Sequence, residues 1–575
     1  MMLLIYSHNQ NLGMARVSAD PSISTTRAAL TKDNLIARYS ADWSELQNND
    51  CRILYYGPTY IKTQINIQRD EFLGPHWLAA AHRLDGAYLL IRIFDTHIEI
   101  SRSLYRGLDI FYLRLDGRLI FSTDFSYLFE ISGENSNNLD DKYCHDFIID
   151  SPTFSGSTAF SAIKSLQLGQ SIRTDLDSIT ELSPQVPRHT GGNPIDILTE
   201  KLSHLARQFD SVYLSFSGGL DSSVVFYCLK RAGVSFTPFH GVNTTPYAEN
   251  ELAYAKDIAQ HFGIELQVRF AKNNIEQAFF APSTFTKTTY PTPFAVDIFT
   301  HPASEASQSQ RSESEYTRRL YLTGQGGDHV FLQNPGWNVG IDDLLKFRIG
   351  KSISQISNYC QLKGENLYAL LYRTIKLALH KNSCKKILSH TPPWISPPER
   401  SDPSDLHYLL KNSDPRSAKF RHISTILAGL SGLAWDDIAE SSTVHPMLLP
   451  DMIGTVLDRP VGELYTAKYD RILLRQAAYQ AAGHNFSWRQ TKRSSATDYF
   501  TYFRNYLTEI TQWLESGILV NNLQIDLSKL RQSLEFNGYY HLNNDFPALI
   551  NLIQLEAYIQ STLHFSSSHR NSYAK

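Results

Sequence analysis

Seven residues in mid-chain, Ser217-Gly218-Gly219-Leu220-Asp221-Ser222-Ser223, have the types and spacing to hold an anion. They lie between two apolar runs, "VYLSF" before and "VVFYCL" after. Glycines at the carboxyl end of a strand let the backbone approach an anion closely. Successive N–H groups then form a concave nest, and a following helix adds its positive end. The serine hydroxyls can donate to phosphate oxygens. A carboxylate is out of place at such a site unless a divalent cation lies between it and the phosphate, which makes Asp221 a natural magnesium ligand. No Gly-Lys-Ser/Thr follows, so this is not a Walker loop. As plain structure, the same residues would be a strand-ending turn with Asp221 as a helix cap.

A strand must deliver this loop and a helix must leave it. The chain from about 195 onward has that texture. "VYLSF", "FTPFHGVN", "IELQVRF" and "RRLYLTG" read as strands, and "SSVVFYCLKRAG" and "ENELAYAKDIAQHFG" as helices ending at glycine. Strands alternating with helices predict a mostly parallel sheet with helices on both faces. From residue 350 on, the pattern is mostly helical. Up to about residue 185 the chain instead carries short β-like runs such as "GAYLLIRIF", "HIEISRS", "IFYLRL" and "RLIFST", with "LDG" as a hairpin turn. "SPQVPRHTGGNP" reads as a linker, "SEASQSQRSESE" as a solvated insertion and "SSSHRNSYAK" as a loose tail. The expected organisation is therefore one domain over 1–185, a linker over 186–195, a second domain over 196–565 and a flexible tail over 566–575. The fold class is α/β with an α+β N-terminal half.

The 575 residues are 42% hydrophobic and 19% charged, ordinary for a globular protein, with a net charge of −3. That balance gives no reason to expect nucleic acid as a partner. The five cysteines form no C-x-x-C pair, which points to a reducing, cytoplasmic compartment and away from a cysteine zinc site. No apolar run is long enough to span a bilayer, and "MMLLIYSHNQ" lacks the basic start and cleavage site of a signal peptide.

"SGGLDSS" resembles the pyrophosphate loop of the ATP-pyrophosphatase (PP-loop) families, which cleave ATP between its α and β phosphates. "YLTGQGGDHVFLQNPG" resembles the G-x-G-x-D segment of asparagine synthetases and β-lactam synthetases, where a second aspartate shares the magnesium. That aspartate falls at Asp328. "WRQTKRSSATDYF" resembles the segment that carries a lysine into the acyl-transfer site, which places Lys492 there as a fixed cation. The resemblance implies nucleotide contacts at Leu214, Ser215, Ser217, Gly218, Gly219, Asp221, Ser222, Asn243 and Gly324, with Glu251 also at the pocket. "HPMLLPDMIGTVLDRP" and "DRILLRQAAYQ" resemble the helical core of these enzymes and read as mainly structural.

The N-terminal half resembles the Ntn-type glutaminase domain of asparagine synthetases, through "LDGAYLLIRIFD" and "SRSLYRGLDIFYLRLDGRLIFSTDFSYL". The glutaminase nucleophile is a cysteine at the second position. Here that residue is Met2, whose thioether forms no thioester, so ammonia from glutamine is not expected. β-Lactam synthetases share this loss. Across most of the chain the resemblance is closest to the lasso peptide cyclases, or lasso macrolactam synthetases, through "LTGQGGDHVFLQNPGWNVGID" and "WRQTKRSSA". It implies adenylation of an Asp or Glu side chain on a leader-free precursor peptide, with ATP and Mg2+, and capture by the peptide's own N-terminal amine. A leader peptidase of the same pathway is the implied partner.

The sequence departs from the β-lactam synthetase pattern at the amine-deprotonating pair. The tyrosine position is Gln325, and the glutamate position falls near His422, a candidate base or a core histidine. Two other readings stay open: an amide ligase acting on a small amino-acid substrate, and a catalytically silent scaffold of the same fold. A tRNA-modifying pyrophosphatase is disfavoured by the glutaminase-like half and the acidic balance. The sequence leaves open the peptide, the ring size, the choice of Asp or Glu and the oligomeric state.

Overall fold

A computed structural model describes residues 2–7, 28–32, 35–39, 42–48, 50–150, 155–175, 177–188, 191–242, 248–270, 291, 318–379, 391–396, 406–432, 437–438, 441–490, 504, 506–539 and 545–573. The predicted insertion at 304–315 lies outside them, as do Asn243 and Lys492.

The N-terminal half is a sandwich of two antiparallel six-stranded sheets. One runs in the order β10 (Lys164–Ser165), β8 (Phe111–Leu115), β9 (Arg118–Ser122), β1 (Met2–Ser7), β3 (Leu35–Tyr39) and β2 (Ala28–Lys32). The other runs β12 (Ile179–Glu181), β11 (Ser171–Thr174), β7 (Ile98–Arg102), β6 (Leu89–Ile93), β5 (Arg52–Tyr56) and β4 (Ser44–Gln47). The predicted hairpin joins β8 to β9, with Asp116 and Gly117 both at positive φ (51° and 71°). Two such residues make the turn whose twist matches the flanking strands. Strand alternation divides the cores. Met2 and Leu4 face Leu89 and Ile91 between the sheets, while Leu3 and Leu90 point to the outer faces.

Those outer faces are buried by the rest of the chain. Leu3 and the helices α1 (Phe125–Ser132) and α2 (Asp141–Asp150) share a core with the C-terminal helices between Leu507 and Ile559. Leu90, Tyr105 and Leu168 share another with the second half. Within the stretch read as a linker, Val186 and Arg188 are exposed, but Gln185 and Pro187 are buried. Gln185 is buried, its Oε1 accepts from Leu104 N at 2.7 Å, and its carbonyl accepts from the Tyr408 hydroxyl at 2.5 Å. Of the residues read as a loose tail, those up to Tyr573 continue a helix that begins at Phe546, and the last two lie outside the described residues. The apolar residues of that helix's first half join the core.

The second half is built on a sheet ordered β15 (Gln267–Phe270), β14 (Thr237–Val242), β13 (Ser211–Ser215), β16 (Arg319–Leu322), β18 (Ser441–Val444) and β17 (Asp437–Ile438). Every pair is parallel except β17–β18. Helix α3 (Pro194–Ala206) leads in, capped by Asn193 with proline at its first turn. Helix α4 (Leu220–Arg231) leaves β13, with Asp221 in its first turn and Lys230 and Arg231 in its last, the arrangement the helix dipole favours. Helix α5 (Ala248–His261) follows β14. Among the described residues no helix is long and apolar enough to cross a membrane.

Candidate active site

The order of strands creates the site. From β13 the chain winds outward through β14 and β15, then returns to the other side of β13 as β16. In open parallel sheets, ligands bind at the carboxyl ends of the strands where the winding reverses. Here that crevice lies between the ends of β13 and β16. The Ser217–Ser223 loop leaves one and the Gly324–Asp328 loop leaves the other.

Glycine lets the two loops interlock. A Cβ on Gly324 would come 2.4 Å from Ser222 N, and one on Gly327 would come 2.5 Å from Asp221 Oδ1. Gly326 at φ +90° caps α6 (Gly327–Val330), and its missing side chain leaves room for Leu448. Gly218 is at φ +72° and abuts the backbone of Ala255 on α5. The loop hydroxyls form a small network. Ser217 Oγ lies 3.1 Å from Ser222 Oγ and accepts from Gly219 N at 3.3 Å, while Ser222 Oγ donates to Gly219 O at 3.2 Å. Ser217 is exposed at the mouth and Ser222 is buried beneath it.

Asp221 is buried, and its Oδ2 accepts from Arg471 Nη1 at 2.7 Å. Arg471 is equally buried. It precedes α8 (Ile472–Ala482) in the left-handed region at φ 49°, a conformation that costs on the order of 1–3 kcal/mol in a non-glycine residue. Burial acts to lower its pKa, but Asp221, Asp470 and Asp328 outweigh that and raise it. Asp328 is partly exposed, and its Oδ1 lies 2.8 Å from His329 Nδ1. Burial pulls His329 down, yet its bond to Asp328 and the charges of Asp328 and Asp221 hold it above the ordinary histidine range. Arg471 and His329 thus both feel the charges of Asp221 and Asp328.

That site fits magnesium. Among the described residues no group of three or more His, Cys, Asp or Glu forms an all-protein cage. Magnesium is usually held by one or two carboxylates, with phosphate and water oxygens completing the octahedron. Asp221 and Asp328, on the two loops that meet at Gly327, would supply such a pair.

The other expected residues divide. Ser217, Gly218, Gly219 and Ser222 lie in and just after the loop that leaves β13, and Gly324 in the loop that leaves β16. Ser215 ends β13 half-buried, and the Leu214 side chain is wholly in the core, so it offers only its backbone. Gln325 is partly exposed in the second loop, its N–H donating to Thr323 Oγ1 at 3.1 Å. His422 is not a candidate base. It lies on α7 (Ala418–Ser431), is 1% exposed, and its Nε2 is 2.9 Å from Val330 O. Burial pushes its pKa down to about 4. The loose match to a glutamate position gave no sign of burial, and here histidine holds the end of α6 from behind. Glu251 is engaged by Arg489, with Arg489 Nη2 at 2.6 Å from its Oε1. Sequence reading took "DRILLRQAAYQ" as plain helical core. Its signal was two arginines at i and i+4 beside an aspartate, which is more charge than a buried helix start ordinarily carries.

Met2 is fully buried in β1, its N–H donating to Thr123 Oγ1 at 3.0 Å. Where a glutaminase needs an exposed thiol, this chain has a packed thioether.

Among solved structures, the allosteric regulatory enzyme of purine biosynthesis and glutamine phosphoribosylpyrophosphate amidotransferase from B. subtilis each match at 10% identity and a TM-score of 0.20. They cover 56% and 57% of this chain and 68% and 71% of theirs, and a fit that loose supports no argument. Among characterised proteins, the microcin J25-processing protein McjC of Escherichia coli is 23% identical over 486 residues, spanning 83% of this chain and 86% of McjC. The asparagine synthase family model matches residues 196–535, which begin at α3 and include both aspartate loops. The chain belongs to the asparagine synthase family.

Proposed function

We propose that this protein is an ATP-dependent macrolactam synthetase that closes the ring of a lasso peptide. The side-chain carboxylate of an Asp or Glu in a leader-free precursor attacks the α-phosphate of ATP, giving an acyl-adenylate and pyrophosphate. The peptide's N-terminal amine attacks the activated carbonyl, AMP leaves, and an isopeptide bond closes the ring. The observation that carries the ligase reading is the meeting of the Asp221 and Asp328 loops at the β13–β16 crevice. The processing role of McjC, matched over most of both chains, supports a peptide as substrate. Magnesium would shield the carboxylates from the triphosphate and draw charge from the leaving pyrophosphate. The loop amides and Ser217 would hold that pyrophosphate, and Lys492 would stabilise charge as the amine attacks.

Holding both ends of one chain together supplies the effective concentration, about 7–11 kcal/mol for well-oriented groups. Exclusion of water protects the adenylate. With Met2 buried, the amine comes from the substrate and not from glutamine. We place the enzyme in the cytoplasm, acting after a leader peptidase. The test is incubation with ATP, magnesium and the core peptide. The expected product is a peptide lighter by one water, with AMP and pyrophosphate in equal amounts. Pyrophosphate released only with a small amino acid would favour the small-substrate ligase, and none with any acid would leave the scaffold.

A further inference from the structure

Arg489 lies at the centre of a closed circuit of charge around the phosphate loop. Its guanidinium is largely buried, with the side chain 11% exposed. Nη2 pairs with Glu251 on α5 at 2.6 Å, Nη1 donates to the Gly218 carbonyl at 3.1 Å, and Cζ lies 3.6 Å from the centre of the Tyr254 ring. Its own carbonyl accepts from Arg475 Nη1 at 2.9 Å, and the same nitrogen donates to Ser487 O at 2.7 Å. Arg475 Nη2 bonds Asp470 Oδ1 at 2.7 Å, and that oxygen also accepts from Arg471 Nε at 3.3 Å. Arg471 then reaches Asp221. Three arginines and two carboxylates thus run from the predicted metal ligand to the segment at 487–489, and Arg489 returns to the loop at Gly218 while its other arm holds Glu251.

We propose that Arg489 is a positioning residue for the phosphate-binding loop. The proposal rests on the nucleotide reading of that loop. The Gly218 carbonyl and the Gly219 N–H belong to one planar peptide and point opposite ways. Gly218, at φ +72°, has the backbone freedom for that peptide to turn over. Anchoring the carbonyl on a buried guanidinium removes this freedom. It aims the Gly219 N–H toward the loop hydroxyls, where it meets Ser217 Oγ. A charge-assisted bond is about twice as strong as a neutral one, enough to choose between two peptide orientations. Glu251 then acts through Arg489, holding its fork in place, and not by touching the nucleotide.

The experiment is calorimetric titration of the full chain with magnesium pyrophosphate and with a non-hydrolysable ATP analogue. The proteins are wild type, Arg489→Gln, Arg489→Lys, Glu251→Gln and the Arg489→Gln/Glu251→Gln double variant. Arg489→Gln is expected to weaken binding by about tenfold or more. Glu251→Gln shifts it the same way by less, and adds little once Arg489 is gone. Arg489→Lys, which keeps the charge but not the fork, lies between wild type and Arg489→Gln. Thermal melts show which variants fold. If Arg489→Gln does not, Arg489→Lys and Glu251→Gln decide alone. Wild-type affinity in the folded Arg489 variants overturns the proposal. So does a Glu251→Gln loss that is as large without Arg489 as with it, since Glu251 would then contact the nucleotide itself. Failure of the wild type to bind either ligand would instead remove the nucleotide reading.

Discussion

Gly327 has no room for a side chain, because the Asp221 carboxylate occupies the space: a Cβ there would meet Oδ1 at 2.5 Å and Cγ at 2.6 Å. The residue before one predicted metal ligand is thus shaped around the other. Gly327→Ala must push Asp221 aside, and a misplacement of about 1 Å at a reacting centre can cost about 100-fold in rate. We expect pyrophosphate release to fall by that order, with folding retained. Gly324→Ala meets the backbone of Ser222 instead, so its main effect should be on stability, about 1–3 kcal/mol by chemical denaturation.

Arg471→Met should destabilise the protein strongly. It leaves Asp221 buried beside a lost partner, and breaking a buried pair costs about 3–5 kcal/mol. In the Asp221→Asn/Arg471→Met double variant the carboxylate charge is also gone. Its loss should be well below the sum of the two single losses, as read from denaturant midpoints. Additive losses would mean that the pair contributes little.

Acid should loosen the seam between the halves. His407 is buried, its Nδ1 accepts from Leu409 N at 3.3 Å, and its Nε2 lies 2.8 Å from Leu168 O in the N-terminal half. Burial pushes both His407 and His422 down to about 4. The unfolded chain takes up these protons near pH 6.5, the folded one only near pH 4. Stability is therefore fully present above about pH 6.5 and is lost as pH falls toward 4, on the order of 3 kcal/mol for each histidine. Melting temperatures measured across that window should drop steeply, and His407→Gln should flatten the slope.

Much of this site was legible because its parts are local. A strand, two glycines and a helix start can be read from neighbouring residues alone, and Ser217 to Ser223 do link β13 to α4 here. The alternation of strands and helices predicted a parallel sheet, and the parallel sheet with its reversal at β13 brings two distant glycine loops together. What escaped depends on burial and on long-range pairing. The sequence left His422 open between a base and a core histidine, and the bonds from Arg471 to Asp221 and from Arg489 to Gly218 span 250 and 271 positions. Likewise, nothing in the Pro- and Gly-rich stretch read as a linker marks Gln185 as a residue that Leu104 and Tyr408 both hold.

Lys492→Ala should leave nucleotide binding and pyrophosphate release intact while ring closure falls, because a cation at that position acts on the second step. The readout is pyrophosphate formed against cyclised peptide formed. Full cyclisation by the variant would remove the role.

The most direct measurement is pyrophosphate release from ATP with the core peptide in wild type, Asp221→Ala and Asp328→Ala, each checked for folding. The account predicts release matched to ring closure in the wild type and none above background in either variant, since each carboxylate supports the same ion on the triphosphate. Release at the wild-type rate by a folded variant of either aspartate would contradict it.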